Sequence, residues 1–243
     1  MAIQHGTITD FTIESKELNE EISFLVYLPE NFSPLYKYHL LITQDGKDYF
    51  QLGRIPRLAD EFLAKGEIEN VIIVGIPYKN VKDRRKKYHP DGEENKAYIR
   101  FIAHELLPFL EEKYPTFQMG KGRALMGDSL GATVSLMTAL QYPHTFGKVV
   151  LQSPYVDKSV LQAVEQCTEL HQLDIYHIIG KGETEVKTTD GKIADFLTPN
   201  RELHQLFQKM GKDTFYEEFE GNHTWKFWQP DLKRALKFLI GEK

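Results

Sequence analysis

A chain of 243 residues is long enough for one large core, and no Pro-, Gly- or Ser-rich linker divides it, so one domain over 1–243 is expected. Apolar residues at 41% and charged residues at 27% match ordinary globular proteins and exclude intrinsic disorder. A formal net charge of −5 lacks the basic footprint of a general nucleic-acid binder, and no apolar run approaches the ~20 residues of a membrane span, so neither nucleic acid nor membrane is expected as a partner.

The N-terminal MAIQHGTITDF has no basic region followed by an apolar stretch and does not read as a signal peptide. Segments 7–13 and 22–28 carry β-branched and aromatic residues in mixed alternation and read as strands. After a turn at Pro29 and NFSP, 38–44 (YHLLITQ) is a short apolar run suited to a central strand, ending in the tight turn Asp45-Gly46. Helical spacing over 55–65 is followed by a strand at 71–76. An irregular segment, 77–95, contains the basic run KNVKDRRKK at 79–87. The apolar steps Ile99, Ile102, Leu106 and Phe109 predict a strong amphipathic helix over 96–114. A strand at 123–127 leads into a helix at 131–142, and a strand at 148–152 into a helix holding Cys167. That single cysteine forms no intrachain disulfide and gives no sign of an oxidising compartment, and with no signal peptide or membrane span read in the sequence a cytoplasmic location is the default expectation. A strand at 173–180, a second irregular segment at 181–199, a helix at 200–210, a strand at 215–219 and a helix at 230–240 complete the chain. Alternating strands and helices imply an α/β fold with a mostly parallel central sheet and helices on both faces, made mixed by its antiparallel-looking start.

The chemistry concentrates at Gly127-Asp128-Ser129-Leu130-Gly131, a G-x-S-x-G between an apolar strand and a helix. That strand–turn–helix context is the nucleophile elbow of the α/β-hydrolase fold, where a strained turn lifts the serine above the sheet. A serine hydroxyl needs a base, and in this fold the order is Ser, acid, His. Of nine histidines, His223 lies just past the last strand. His204 and His104 sit on predicted helices, while His171 and His177 come too early. The acid should follow the strand 173–180 and orient the imidazole. Glu183 stands three residues beyond the strand end and is preferred, Asp195 is next, and Glu185 and Asp190 are also candidates. Two N–H groups should bind the oxyanion, one from Leu130 and one from Lys47 in the turn after 38–44. Asp128 and Trp225 are candidates for substrate contact; Trp225 and Trp228 could equally anchor the last helix. The basic run could meet a substrate anion on the same rim, although a solvated loop balanced by the following DGEE is the reading favoured here. The low apolar content of 77–95 argues against a large lipase-type lid. No HExxH, Cys/His cluster, GxGxxG or P-loop is present, so neither metal nor cofactor is expected.

In these blocks the chain resembles the putative-esterase (esterase D-like) branch of the α/β-hydrolases, which includes enterochelin esterases, S-formylglutathione hydrolases, feruloyl esterases and mycolyltransferases. The resemblance rests on QDGKDYF (44–50), the stretches 74–90 and 101–116, the elbow block 123–154, IIGKGETEVKT (178–188), NRELHQLF (200–207) and GNHTWKFWQPDL (221–232). It implies that Ser129 and His223 are catalytic, that the acid comes from the GETE loop in support of Glu183, and that Gly46-Lys47 supplies an oxyanion-hole N–H. Some relatives carry Asp at the acid, and some manage with Ser and His alone. The expected function is a serine esterase cleaving a small-molecule ester of small or medium acyl group through an acyl-enzyme. An acyltransferase using the same residues is the alternative, and a non-catalytic binding protein on a hydrolase scaffold ranks below it. The sequence sets no oligomeric state and leaves a homo-oligomer open.

Overall fold

The computed structural model describes residues 4–189 and 191–241. Strands β1 (Thr7–Ser15), β2 (Glu20–Leu28), β3 (His39–Gln44), β4 (Val71–Ile76), β5 (Arg123–Asp128), β6 (Lys148–Gln152) and β7 (Asp174–Gly180) come first in the chain. A two-residue pair, β8 (Val186–Lys187) and β9 (Ile193–Ala194), precedes β10 (Phe215–Phe219). The helices are α1 (Gly46–Gln51), α2 (Ile55–Ala64), α3 (Val81–Tyr88), α4 (Asn95–Phe101), α5 (Leu107–Lys113), α6 (Leu130–Gln141), α7 (Lys158–Gln166), α8 (Leu197–Lys209) and α9 (Trp225–Ile240).

Eight strands form one sheet in the order β1-β2-β4-β3-β5-β6-β7-β10. The first two joins, β1 with β2 and β2 with β4, are antiparallel, and the remainder are parallel. This is the mixed, mostly parallel α/β sheet implied by the sequence. Strands β3 to β7 are buried along almost their whole length because helices cover both faces, hence their unbroken apolar runs. One face packs on α4 to α8 through residues such as Tyr98, Leu136, Val160 and Leu203. The other packs on α2 and α9 through Ile55, Leu58, Trp228 and Leu232. From β3 the chain steps to β4 on one side, and from β5 to β6 on the other. The crevice at such a reversal, outside the carboxyl ends of the strands, is where open α/β sheets place ligands.

Four readings change. The predicted helix 96–114 is broken by a π-helical turn, Ile102–Leu106, between α4 and α5. Pro108, at the start of α5, lacks the N–H that would continue the α ladder, and its ring crowds the preceding turn. The segment 77–95 is not irregular throughout, since Asn80 caps α3 by accepting from Lys82 and Asp83 N–H at 3.0 Å. The turn after β3 opens directly into α1, and α9 begins at Trp225, ahead of Pro230. Among the described residues no helix is long and apolar enough to cross a membrane.

Candidate active site

Strand β5 delivers Ser129 to the crevice. Its backbone sits at φ 53°, ψ −126°, a left-handed conformation that L residues rarely adopt and that is held against about 1–3 kcal/mol of strain. The surroundings fix it there. Ser129 N–H donates to the Gln152 carbonyl at 2.9 Å, and its own carbonyl accepts from Thr133 N–H at 3.1 Å. Gly127 is required because a Cβ there would lie 2.2 Å from the Gly131 carbonyl carbon. A Cβ at Gly131 would instead lie 2.9 Å from Asp45 Oδ2 and 3.1 Å from Gln44 Cβ, so the elbow needs small residues at both positions.

The candidate acid and base arrive on neighbouring strands. Glu183 follows β7 and His223 follows β10, the parallel partner of β7. The two turns are stitched together by backbone: Lys181 N–H donates to the Phe219 carbonyl at 2.9 Å and Gly182 N–H to the Gly221 carbonyl at 2.8 Å. His223 Nδ1–H then donates to Glu183 Oε2 at 2.6 Å. The other carboxylate oxygen, Oε1, accepts from Gly180 N–H at 2.8 Å and from the Ser153 hydroxyl at 2.6 Å. Ser153 Oγ in turn accepts the Trp228 indole N–H at 3.0 Å. Glu183 is fully buried, and each of its oxygens has a donor, as a buried carboxylate requires. The imidazole is also held sideways, by the Phe196 ring at 4.5 Å and by Trp228, edge to face, at 4.9 Å. With Nδ1 committed to Glu183, Nε2 is the nitrogen left to accept a proton.

Ser129, Leu130 and His223 line one cleft of about 220 Å³, together with Arg84 and Arg85 of α3, Tyr155, Phe196 and the β8–β9 hairpin. Of the other acid candidates, Asp195 is exposed and accepts from Thr198 N–H at the start of α8, and Glu185 is exposed. Asp190 lies outside the described residues.

Two expected substrate contacts do not reach the cleft. Asp128 is buried, with one carboxylate oxygen lacking a partner, and lies beside the pair Asp45–Arg84. Arg84 donates Nε–H to Asp45 Oδ1 at 2.8 Å and a terminal N–H to Oδ2 at 2.5 Å, and reaches the Asp128 carbonyl at 3.3 Å. One guanidinium thus faces two carboxyls and forks onto Asp45. Burial, then repulsion from Asp45, pushes the Asp128 carboxyl well above the usual carboxylate range. Trp225 packs edge-on against Tyr49 at 4.8 Å and against Trp228 at 5.9 Å, anchoring α9 rather than walling an acyl pocket. Lys47 is exposed in the first turn of α1 and is not among the cleft-lining residues, although its N–H has no acceptor within that short helix.

The basic run is not a solvated loop. Arg84 is buried on Asp45, Lys87 is buried and pairs with Asp83 and Glu20, and Lys86 meets Glu94 of the DGEE segment at 2.6 Å. Sequence reading missed Ser153 and the α3 contribution to the cleft. Ser153 has one faint signal, a polar residue at the carboxyl end of a buried strand on the same rim as Ser129.

The remaining histidines have other surroundings. His104 pairs with Tyr142, His204 stacks on Tyr216 at 3.9 Å, and His171 is exposed. His177 is buried, with Nε2–H donating to Asn200 Oδ1 at 2.7 Å and Nδ1 without a partner. Two groups of three, His89/Asp91/Asp157 and Glu20/Asp83/Glu94, bring ligand atoms within 4.8 Å of one another. Asp157 already caps α7, and the second group is neutralised by lysines.

A family model described as "Putative esterase" matches residues 15–239. The chain is 58% identical over 240 residues to the protein YjcH of Bacillus subtilis (strain 168), covering 99% of this chain and 100% of the relative. It is 26% identical over 179 residues to an acetyl esterase of Caldicellulosiruptor saccharolyticus, covering 63% of this chain and 67% of that protein. Among solved structures a ferulic acid esterase superposes with a TM-score of 0.79 at 20% identity, over 97% of this chain and 98% of the other, a likeness of fold.

Proposed function

The chain belongs to the putative-esterase family, and from that premise we propose that it is a serine carboxylic-ester hydrolase working through an acyl-enzyme. Family membership supports ester hydrolysis as the activity. The observation that carries the serine mechanism is the 2.6 Å bond between His223 and a fully buried Glu183, in the cleft onto which the strained Ser129 opens.

In this reading the Ser129 hydroxyl oxygen attacks the ester carbonyl carbon while His223 Nε2 takes its proton. Glu183 holds the resulting imidazolium. The carbonyl oxygen becomes an oxyanion and accepts the N–H of Leu130 at the start of α6, and the segment 44–47, with Lys47 N–H, is proposed for the second donor. Collapse breaks the ester C–O bond, and the leaving alcohol takes the proton from His223. A water then loses a proton to His223, attacks the acyl carbon and releases the carboxylic acid, restoring the Ser129 hydroxyl. A cleft of about 220 Å³ suits a small or medium acyl group. The cytoplasm is the proposed compartment, on the strength of the single cysteine.

The test is hydrolysis of p-nitrophenyl butyrate by the wild type and by Ser129→Ala, with fluorophosphonate labelling alongside. Turnover and labelling by the wild type, with loss of several orders of magnitude in the variant, is the expected result. Equal activity of the two proteins would remove Ser129 from the mechanism. Absence of both labelling and turnover would favour a binding protein. New esters formed faster than free acid, when alcohols are added, would reassign the chemistry to acyl transfer.

A further inference from the structure

The ladder between β3 and β5 stops short of the elbow. Its last pair is Thr43 with Met126, so segment 44–47 and the turn at Ser129 both lie past its final rung. Two residues beyond that pair stand Asp45 on one chain and Asp128 on the other. Arg84 of α3 joins them. Its Nε–H donates to Asp45 Oδ1 at 2.8 Å, and one terminal nitrogen donates both to Asp45 Oδ2 at 2.5 Å and to the Asp128 carbonyl at 3.3 Å.

The hold on Asp45 is two-sided. Tyr88, one turn further along α3, accepts the Asp45 N–H at 3.3 Å. The Tyr88 and Tyr78 rings also flank the guanidinium, with centroids 5.5 and 5.7 Å from its carbon. Asp45 itself takes a left-handed backbone, φ 50°, that turns the chain at the end of β3; Asp tolerates this conformation better than most residues. Its carboxylate leans on the first turn of α6, where Oδ2 would meet a Cβ on Gly131, the neighbour of Leu130. A planar guanidinium fork fixes distances as well as supplying charge. Donors aimed at a developing oxyanion work only when they are already in place as the charge forms.

Resting on the hydrolase reading above, we propose that Arg84 is a positioning residue of the oxyanion hole. It rivets segment 44–47 to the elbow where the ladder has ended, and so sets the separation between the Leu130 N–H and the donor from 44–47. It acts through Asp45 and the Asp128 carbonyl rather than on the reacting atoms.

The experiment uses Arg84→Lys, which keeps a charge beside Asp45 and loses the fork. Its control is Arg123→Lys. Arg123 forks onto Glu111 in the same way, at 2.7 and 2.9 Å, but at the opposite end of β5. Active sites are counted by fluorophosphonate titration, and each protein is assayed with p-nitrophenyl butyrate and inhibited with 1,1,1-trifluoropentan-2-one. That ketone presents the same propyl group and becomes an oxyanion when Ser129 adds to it. In Arg84→Lys, kcat should fall and the Ki of the ketone should rise by the same factor, roughly ten- to a hundredfold, with KM little changed. A protein that is merely less stable would lose active sites and leave the Ki of the remainder unchanged. Arg123→Lys should keep kcat and Ki within about threefold of the wild type. If Arg84→Lys does not fold, Asp45→Asn, which suits the left-handed backbone and keeps one bond of the fork, must show the same paired change. An unchanged Ki in the folded variant, a raised KM with kcat intact, or an equal change in Arg123→Lys would overturn the assignment and leave the esterase reading standing. A wild type that neither turns over the ester nor is labelled would sink the esterase reading, and this inference with it.

Discussion

Replacing Glu183 by Gln tests the site through the direction of a single proton. Glu183 Oε1 sits 2.8 Å from Gly180 N–H, a backbone donor that cannot turn away. In Glu183→Gln that position must therefore hold the amide oxygen, because an NH2 there would face another donor. The amide nitrogen then takes the place of Oε2, 2.6 Å from His223 Nδ1. Facing a donor, Nδ1 must give up its hydrogen and accept, so the imidazole proton moves to Nε2. The nitrogen that should take the Ser129 proton is now occupied. The same wrong-tautomer effect in a serine protease lowers kcat by about four orders of magnitude. We expect a loss of roughly 10³ to 10⁴ in kcat on p-nitrophenyl butyrate, or about 4–5 kcal/mol of barrier, with KM little changed. The fold should lose only about 1 kcal/mol, since the Ser153 and Gly180 bonds survive. Equilibrium urea unfolding checks that the loss is chemical. Asp195→Asn, in an exposed helix-capping position, should leave kcat within a factor of two or so. A loss under tenfold in Glu183→Gln, or an equal loss in Asp195→Asn, would refute the reasoning.

Three further outcomes follow from the same geometry. Ser153→Ala leaves the buried Trp228 indole N–H without its acceptor and removes one donor from Glu183; it should lower stability by about 1–3 kcal/mol and kcat by roughly tenfold with KM unchanged, read by urea unfolding and steady-state kinetics. Arg84→Met strands Asp45 beside Asp128 and should cost about 3–5 kcal/mol in urea unfolding; a cost below about 1 kcal/mol would mean that the pair is not buried as described. Burial holds His177 neutral, its pKa pushed down to about 4, so between the ordinary histidine value and pH 4 the unfolded chain binds the extra proton. Stability should fall with decreasing pH across that window by about 3 kcal/mol from this residue, and His177→Gln should flatten the fall between pH 7 and 4.5; equal slopes would show that another group titrates.

The parallel core of the fold is legible in the sequence because buried strands have no alternative to continuous apolar runs such as VIIVGI and DIYHIIG. The elbow is equally legible, since only small residues let β5 and α6 approach so closely. Chain order and strand ends limit where an acid and a base can stand, and the two residues chosen on that ground, Glu183 and His223, lie 2.6 Å apart. Elsewhere the deciding physics is tertiary. The charge run 79–87 scores as a loop on composition, yet it is a helix because Asn80 caps it and because Asp45, Glu20 and Glu94 lie within reach of its cations. Ser153 carries only a faint signal because its partners Glu183 and Trp228 come from distant segments, and the stranded oxygen of Asp128 cannot be read because the Asp45–Arg84 pair beside it is brought there by the fold. Trp225 looked like a cleft residue by proximity to His223, but the first turn of a helix points successive side chains in different directions.

The β8–β9 hairpin forms a sheet of its own, separate from the eight strands that position Ser129, Glu183 and His223. It rests on a small apolar cluster of Ile179, Val186, Phe196 and Leu197, and it joins the chain between Glu183 and α8. One wall of the cleft is therefore carried by a short piece of chain that can be exchanged without cutting into the strands that carry Ser129, Glu183 and His223, while Arg84, Arg85, Tyr155 and Phe196 keep the rest of the lining in place. A lineage could reshape that wall by rewriting the hairpin, and an engineer could graft it between relatives with the same expectation.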